Sequence, residues 1–439
     1  MSFGSKVIFV TGLASTVFFS GSWALAEIPT YIAVGAAQTK KSVIAFPESL
    51  GEAALASEVS ATVKSDLSFT DLFKFLPNSA FLEKTGTGIL PGEFKLSDWS
   101  SVGSDFVLKT SLMRQPVGVA LEIHLYEAAS GKQLLNKKLI GQTSELKPLA
   151  HTLANEVLTA LTGLPGIFQT KIAMVCDRTG KKEIYMMNFD GSQVRQVTQH
   201  QSTSFSPAWS PDGTRLAYSL FNRHRDNTKN IDLFEFNFTN NTIRMLSNRQ
   251  GINSGSSYSP DGKKIALTMS FPGNPEIFTL DIASQQVTRI TKSMGFDVDP
   301  SWSPDGKRLA FVSSRTGRPM VFSQNADGSN VQRLTFAGSY NASPSWSLQN
   351  NKIAFAGWLD RGFDIFIMNP DGTKIERLTK NQGSNEDPGF SPDGNFIAFS
   401  SNRTGQQNIY VVNVDGTFTR RLTYGLGNCN SPKWSNPPH

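Results

Sequence analysis

Short apolar runs recur at a fixed distance along the C-terminal part of this chain, separated by Gly, Pro and Asp turns and lacking the helical rhythm of apolar positions. An aromatic anchor opens each repeat: Trp209-Ser-Pro-Asp-Gly213, Tyr258-Ser-Pro-Asp-Gly262, Trp302-Ser-Pro-Asp-Gly306, Trp346-Ser-Leu-Gln-Asn350, Phe390-Ser-Pro-Asp-Gly394 and Trp434-Ser-Asn436. Successive anchors stand 49, 44, 44, 44 and 44 residues apart. A second run follows each complete turn (Leu216-Ala-Tyr218, Ile265-Ala-Leu267, Leu309-Ala-Phe311, Ile353-Ala-Phe355, Ile397-Ala-Phe399), and a further copy, Ile172-Ala-Met174, has no anchor before it. A third run such as Ile184-Tyr-Met-Met187 and a fourth ending in Arg-Leu-Thr, as at Arg333–Thr335, complete the period. Four strands joined by tight turns predict one antiparallel propeller blade per period.

Calling the strands A to D in that order, the repeats open with B, C and D near residue 171 and end with a solitary A at Trp434. The C-terminal strand is therefore expected to complete the first blade, with residues about 430 to 434 pairing against about 171 to 176, giving six blades and hiding a sheet edge. That closure carries Cys176 and Cys429 to within one residue of facing each other across an antiparallel pair. A disulfide is one expectation; a pair of buried free thiols after a one-residue slip is the other.

Upstream the pattern changes. Lys6, the apolar stretch Val7–Phe19 and the small residues around Ala24-Leu-Ala26 read as a signal peptide over 1–26 cut between Ala26 and Glu27. Residues 27–165 read as an α/β domain with an N-terminal arm, Glu27–Thr39, and 166–439 as the propeller. In the α/β domain, strands are expected near Val43–Phe46, Phe106–Leu108, Val117–Tyr126 and Leu134–Ile140, and helices over 49–66 and 149–161, the latter stopped by Gly163 and Pro165. The formal net charge of +6 comes without a basic run interleaved with aromatics, so it speaks for solubility and against nucleic acid, and an exported chain with its signal removed carries no membrane insertion.

The chemistry on offer is thin. Asp212, Asp261, Asp305 and Asp393 each precede Gly in a tight turn and read as turn residues, and the aromatic anchors as packing between blades. A propeller-bearing peptidase or hydrolase needs a nucleophile elbow, and no Gly-x-Ser-x-Gly occurs. His124, His151, His200 and His224 read as structural, so no catalytic residue, cofactor site or metal site is assigned. A sugar- or peptide-binding module would show aromatics at the propeller mouth. The D-to-A connections instead present Asn253, Asp297, Asp299, Asn341, Asn385, Asp387 and Asn430, a polar and acidic rim suited to a protein partner. The insertion Phe221–Asn230, which lengthens one period from 44 to 49 residues, is expected to project from that same face.

The order of segments resembles the TolB family, the periplasmic propellers of the Tol-Pal cell-envelope system of Gram-negative bacteria. The most specific stretches lie outside the repeats: Asp98-Trp-Ser-Ser-Val-Gly-Ser-Asp-Phe-Val107, and His151–Val157 through Leu161-Thr-Gly163 to Phe168–Ile172. Glu27–Thr39 departs from the family's pattern. The resemblance implies a periplasmic adaptor without catalysis. It would bind the peptidoglycan-associated lipoprotein Pal at the propeller mouth, engage TolA through the N-terminal arm, meet other envelope proteins, and support outer-membrane integrity and constriction at division. It also aligns Val298 and Asp299 with the family's partner-contacting segment.

Overall fold

A computed structural model of the chain describes residues 40–84, 86–359 and 361–437. The signal peptide with its cleavage pair Ala26 and Glu27, and the arm Glu27–Thr39, lie outside the described residues.

The first unit is a mixed sheet in the order Phe73–Phe75, Ser42–Ala45, Phe106–Arg114, Val119–Glu127, Gln133–Gly141, with the short strand Leu50–Gly51 alongside Phe106–Arg114. Helices α1 (Ala53–Phe69) and α3 (Leu146–Thr162) bury Val59, Val63, Leu67, Leu153, Val157 and Leu161 against that sheet. Helix α1 starts later than its apolar spacing suggests because Leu50 and Gly51 are drawn into register with Ser111 and Leu112. Gly51 is required there: at φ 130° a Cβ would stand 2.1 Å from the Leu112 carbonyl oxygen. Helix α3 starts earlier than expected because a capping box, Gln142 with Glu145, leads straight into it. It ends at Gly163, which is left-handed and donates its N–H to Thr159 O. The short helix α2 (Leu96–Ser101) brings Trp99 beside Phe81 and the buried Lys109–Glu83 ion pair on the opposite face of the sheet.

The second unit is six four-stranded antiparallel sheets. Blade 1 is assembled from both ends of the repeat region: Cys429–Trp434 supplies strand A for Lys171–Cys176, Glu183–Asn188 and Arg195–Gln196. The A strands of blades 2 to 6 are Ser204–Trp209, Asn253–Tyr258, Asp297–Trp302, Asn341–Trp346 and Asn385–Phe390. Trp434 faces Ile172 and Cys429 faces Cys176, and the two cysteines are joined by a disulfide with a Cα separation of 4.2 Å. The residue that sequence spacing left over is a bulge. Every A strand shifts register by one near its middle, for example between Val298 and Ser301, and the third residue of each, from Ser206 to Ser431, has φ between 49° and 60°.

The two units share one apolar core. Phe69 at the end of α1 meets Phe189 at 5.0 Å and Phe396 at 5.6 Å, both from the A-to-B and C-to-D turn end of blades 1 and 6. Helix α3 joins in through His151, whose Nδ1 lies 2.6 Å from Asp66 Oδ2 and whose ring stands edge-on to Phe189. The α/β unit thus caps the turn end of the propeller, and the end carrying the D-to-A and B-to-C loops faces away from it.

Candidate functional site at the open end of the propeller channel

The six A strands line a central channel, and their repeated positions decide what it presents. The first residue of each strand is polar except at blade 1, where it is Cys429. The sequence placed Asn253, Asp297, Asn341 and Asn385 on an exposed rim, and the structure corrects that: they are 0 to 3% exposed. The three asparagines each tie their strand to the C strand of the preceding blade or to a loop between them. Asn253 Nδ2 donates to Ile231 O at 2.8 Å, Asn341 Nδ2 reaches Ala337 O at 2.9 Å, and Asn385 Nδ2 reaches Asp364 Oδ1 at 3.1 Å. Asp297 instead accepts from Arg315 at 2.9 Å. Where buried loop carbonyls meet the end of a strand, a side-chain donor satisfies them, so these residues staple blades and present nothing to a ligand.

Val298, Asp299, Asp387 and Asn430 are different: all four are partly exposed. Asp299, Asp387 and Lys433 together line a cavity of about 230 Å³ with Ser206, Ser343 and Ser431. Asp387 is held across two blade boundaries, accepting from Ser343 Oγ at 3.1 Å and from Ser431 N and Oγ at 3.2 and 3.0 Å. Burial, with the Asp387 carboxylate adding to it and Lys433 opposing, pushes the Asp299 carboxyl up to about 6. Burial lowers the Lys433 ammonium against the pull of Asp387 and Asp299. Among the described residues Lys433 forms no ion pair within 4 Å, so its ammonium lines the cavity apart from the two carboxylates.

Two further features stand at this mouth. Tyr340 and Phe363 are 5.6 Å apart and Trp358 meets Phe363 edge-on at 5.0 Å, forming an aromatic cluster on blade 5. Burial and then Asp299 raise the Tyr340 phenol. Sequence reasoning missed the cluster because Trp358 and Phe363 read as ordinary strand residues; the signal was that both lie beyond the Ile353–Phe355 run, next to the B-to-C turn. It also missed Lys433, although aligned repeats put Ala208, Ser257, Ser301, Ser345 and Gly389 at the same position. The insertion in blade 2 extends the hairpin of Arg215–Arg223 with Lys229–Asn237 at the end where the D-to-A loops lie, as expected.

Elsewhere the chemistry stays structural. Asp212, Asp261 and Asp305 accept from Ser210, Ser259 and Ser303 of their own turns at 2.5 to 2.6 Å, and Asp393 accepts from Ser391. Trp302 Nε1 donates to Ser257 O and Trp209 Nε1 to Lys433 O, so these two anchors lock neighbouring blades. His124, His151, His200 and His224 contact Glu122, Asp66, Tyr218 and Asp232, and among the described residues no serine or cysteine hydrogen-bonds to any of them. Among the described residues no three His, Cys, Asp or Glu side chains are grouped to hold a metal ion.

Comparison with known proteins follows the same two-unit division. The family model described as the TolB beta propeller domain matches residues 158–359 and 343–438, and that described as the TolB amino-terminal domain matches residues 30–134. The Tol-Pal system protein TolB of Geobacter sulfurreducens is 38% identical over 176 residues, 39% of this chain and 40% of that protein. The Tol-Pal system protein TolB of Anaeromyxobacter dehalogenans is 33% identical over 209 residues, 47% of this chain and 48% of that protein. The chain thus spans less than half the length of the curated relatives it matches. Among solved structures, the crystal structure of TolB from Acinetobacter baumannii superposes with a TM-score of 0.80 at 26% identity, covering 92% of this chain and 98% of that one.

Proposed function

The chain belongs to the TolB family, and from that premise we propose that it is a periplasmic adaptor of the Tol-Pal system that binds the lipoprotein Pal at the open end of its propeller and TolA through its N-terminal region. In this reading it carries no catalysis and supports outer-membrane integrity and invagination during division. Its relatives are Tol-Pal system proteins, and no helix among the described residues is long and apolar enough to cross a membrane.

The observation that carries the reading is the asymmetry of the propeller. One end is covered by the α/β unit through Phe69, while the other presents Asp299, Asp387 and irregular loops on a rigid ring. Carboxylates recessed in a channel mouth suit a basic group brought by a protein partner. Purified Pal titrated into the mature chain tests this by calorimetry. The unsubstituted chain is expected to bind, and Asp299→Asn with Asp387→Asn to weaken binding by ~10-fold or more. Equal affinity of the double variant would move the site elsewhere.

One observation favours a second reading, a sugar- or peptide-binding module: the Tyr340, Trp358 and Phe363 cluster at the mouth. Quenching of Trp358 fluorescence by soluble peptidoglycan fragments, lost in Trp358→Phe, would support it.

A further inference from the structure

Blade 2 has the longest B-to-C hairpin of the six blades. Its strand B leaves its partner Ser204 at Leu220 yet continues to Arg223, and pairs there with Lys229, the first residue of strand C. The resulting finger is braced at its root. Asp232, 0% exposed, accepts from Asn222 at 2.8 Å and Asn230 at 2.6 Å and lies 2.8 Å from His224 Nε2. Both flanking D-to-A loops clamp it, through Phe221 N to Thr203 O at 2.9 Å and Gly251 N to Asn230 Oδ1 at 2.6 Å. At the tip Asp226 is occupied by Thr228, accepting from its N–H at 3.0 Å and its hydroxyl at 2.7 Å.

What this bracing holds out is positive charge. Arg223, Arg225 and Lys229 are exposed, and among the described residues none of them forms an ion pair. Phe221, 43% exposed, stands at the root beside them. A hairpin fixed by a buried carboxylate costs desolvation to build, and three unpaired cations at its tip add nothing to the fold. On the same end of the propeller the channel mouth carries two carboxylates, Asp299 and Asp387, against the one ammonium of Lys433.

We propose that the blade 2 finger is a second anchor of the partner-binding face, docking an acidic patch of the protein whose basic group meets the channel mouth. The inference rests on the reading that this end binds Pal. A protein surface carrying both signs matches a face that carries both. An anionic membrane would meet the carboxylates as well as the cations, and the carboxylates would repel it.

The test is Pal binding to the mature chain at low and high salt. Arg223→Glu with Arg225→Glu and Lys229→Glu is expected to weaken binding by ~10-fold or more at low salt, chiefly by slower association, and to flatten the salt dependence. The Gln version of the same triple variant is expected to give a smaller loss in the same direction and guards against misfolding of the charge reversal; an unchanged melting temperature confirms both folds. If the unsubstituted chain binds and both variants match its affinity and salt slope, the finger is overturned while Pal binding stands. If the unsubstituted chain does not bind Pal, both fall. If phosphatidylglycerol vesicles bind the chain and lose it to the triple variant while Pal affinity is unchanged, the finger is a membrane contact and the inference is overturned.

Discussion

Asp299 combines two strains at one position. It holds φ 55° at the bulge and carries a carboxyl raised to about 6 by burial, with Asp387 adding to the shift and Lys433 opposing it. Its folded-state value lies above that of the unfolded chain, so its contribution to stability is complete below pH ~4 and is lost as pH rises toward ~6. Asp299→Asn is therefore expected to flatten the fall in stability between those pH values and to leave the chain more stable at pH 7 by about 1–2 kcal/mol, discounted for channel water. Asn also suits a left-handed backbone, but that gain is independent of pH. Urea unfolding at pH 4 and pH 7 separates the two, and a difference between variant and parent that is equal at both would remove the electrostatic account. The residue was legible in the sequence as a polar break before Pro300, and its neighbour Asp297 looked the same. Only the fold separates them, because the bulge turns Asp299 to the channel while Asp297 points into the blade boundary.

At the scale of the element, the closure strand Cys429–Trp434 is the one A strand that must reach its sheet from the far end of the repeats. Periodicity made this readable, since a period fixes which strand is missing without knowledge of any contact; the same count brought Cys429 to within one residue of Cys176, and the bulge supplies that residue. The stapling by Asn253, Asn341 and Asn385 was not readable, because a polar residue ahead of an apolar run has the appearance of a loop residue until its partner in the preceding blade is known. Besides the disulfide, hydrogen bonds such as Trp434 Nε1 to Thr170 Oγ1 and apolar contacts hold the strand. Removing the disulfide frees a long loop in the unfolded chain, so Cys176→Ala with Cys429→Ala should cost on the order of 2–5 kcal/mol and expose the closure strand to proteolysis. Reduction of the parent protein should shift its urea midpoint in the same direction, and a midpoint indifferent to reductant would show that the strand holds the ring by itself.

At the scale of the whole molecule, the turn end of the propeller is covered by the α/β unit and the open end is not, and Phe69 is where the difference is made. Its ring meets Phe189, Phe396 and Phe418, and Arg420 lies 5.5 Å above it, so residues of α1, blade 1 and blade 6 belong to one buried cluster. A continuous apolar core couples two units that each own a sheet, and the parent chain is expected to unfold in a single calorimetric transition. Phe69→Ala removes the ring common to both sides. Truncation of a buried Phe costs about 3–5 kcal/mol, and here the loss falls on the coupling, because the sheets and the α1–α3 packing stay intact. The expected result is two resolved transitions and new protease sensitivity around Gly163–Gly166, where the chain passes between the units. Pal affinity should hold, since the open end is built from A strands and loops that Phe69 does not touch. A single transition merely shifted to lower temperature would mean that the units are coupled through other contacts across the joint, such as the His151 ring against Phe189 and Phe168 N donating to Asn155 Oδ1, rather than through the shared ring.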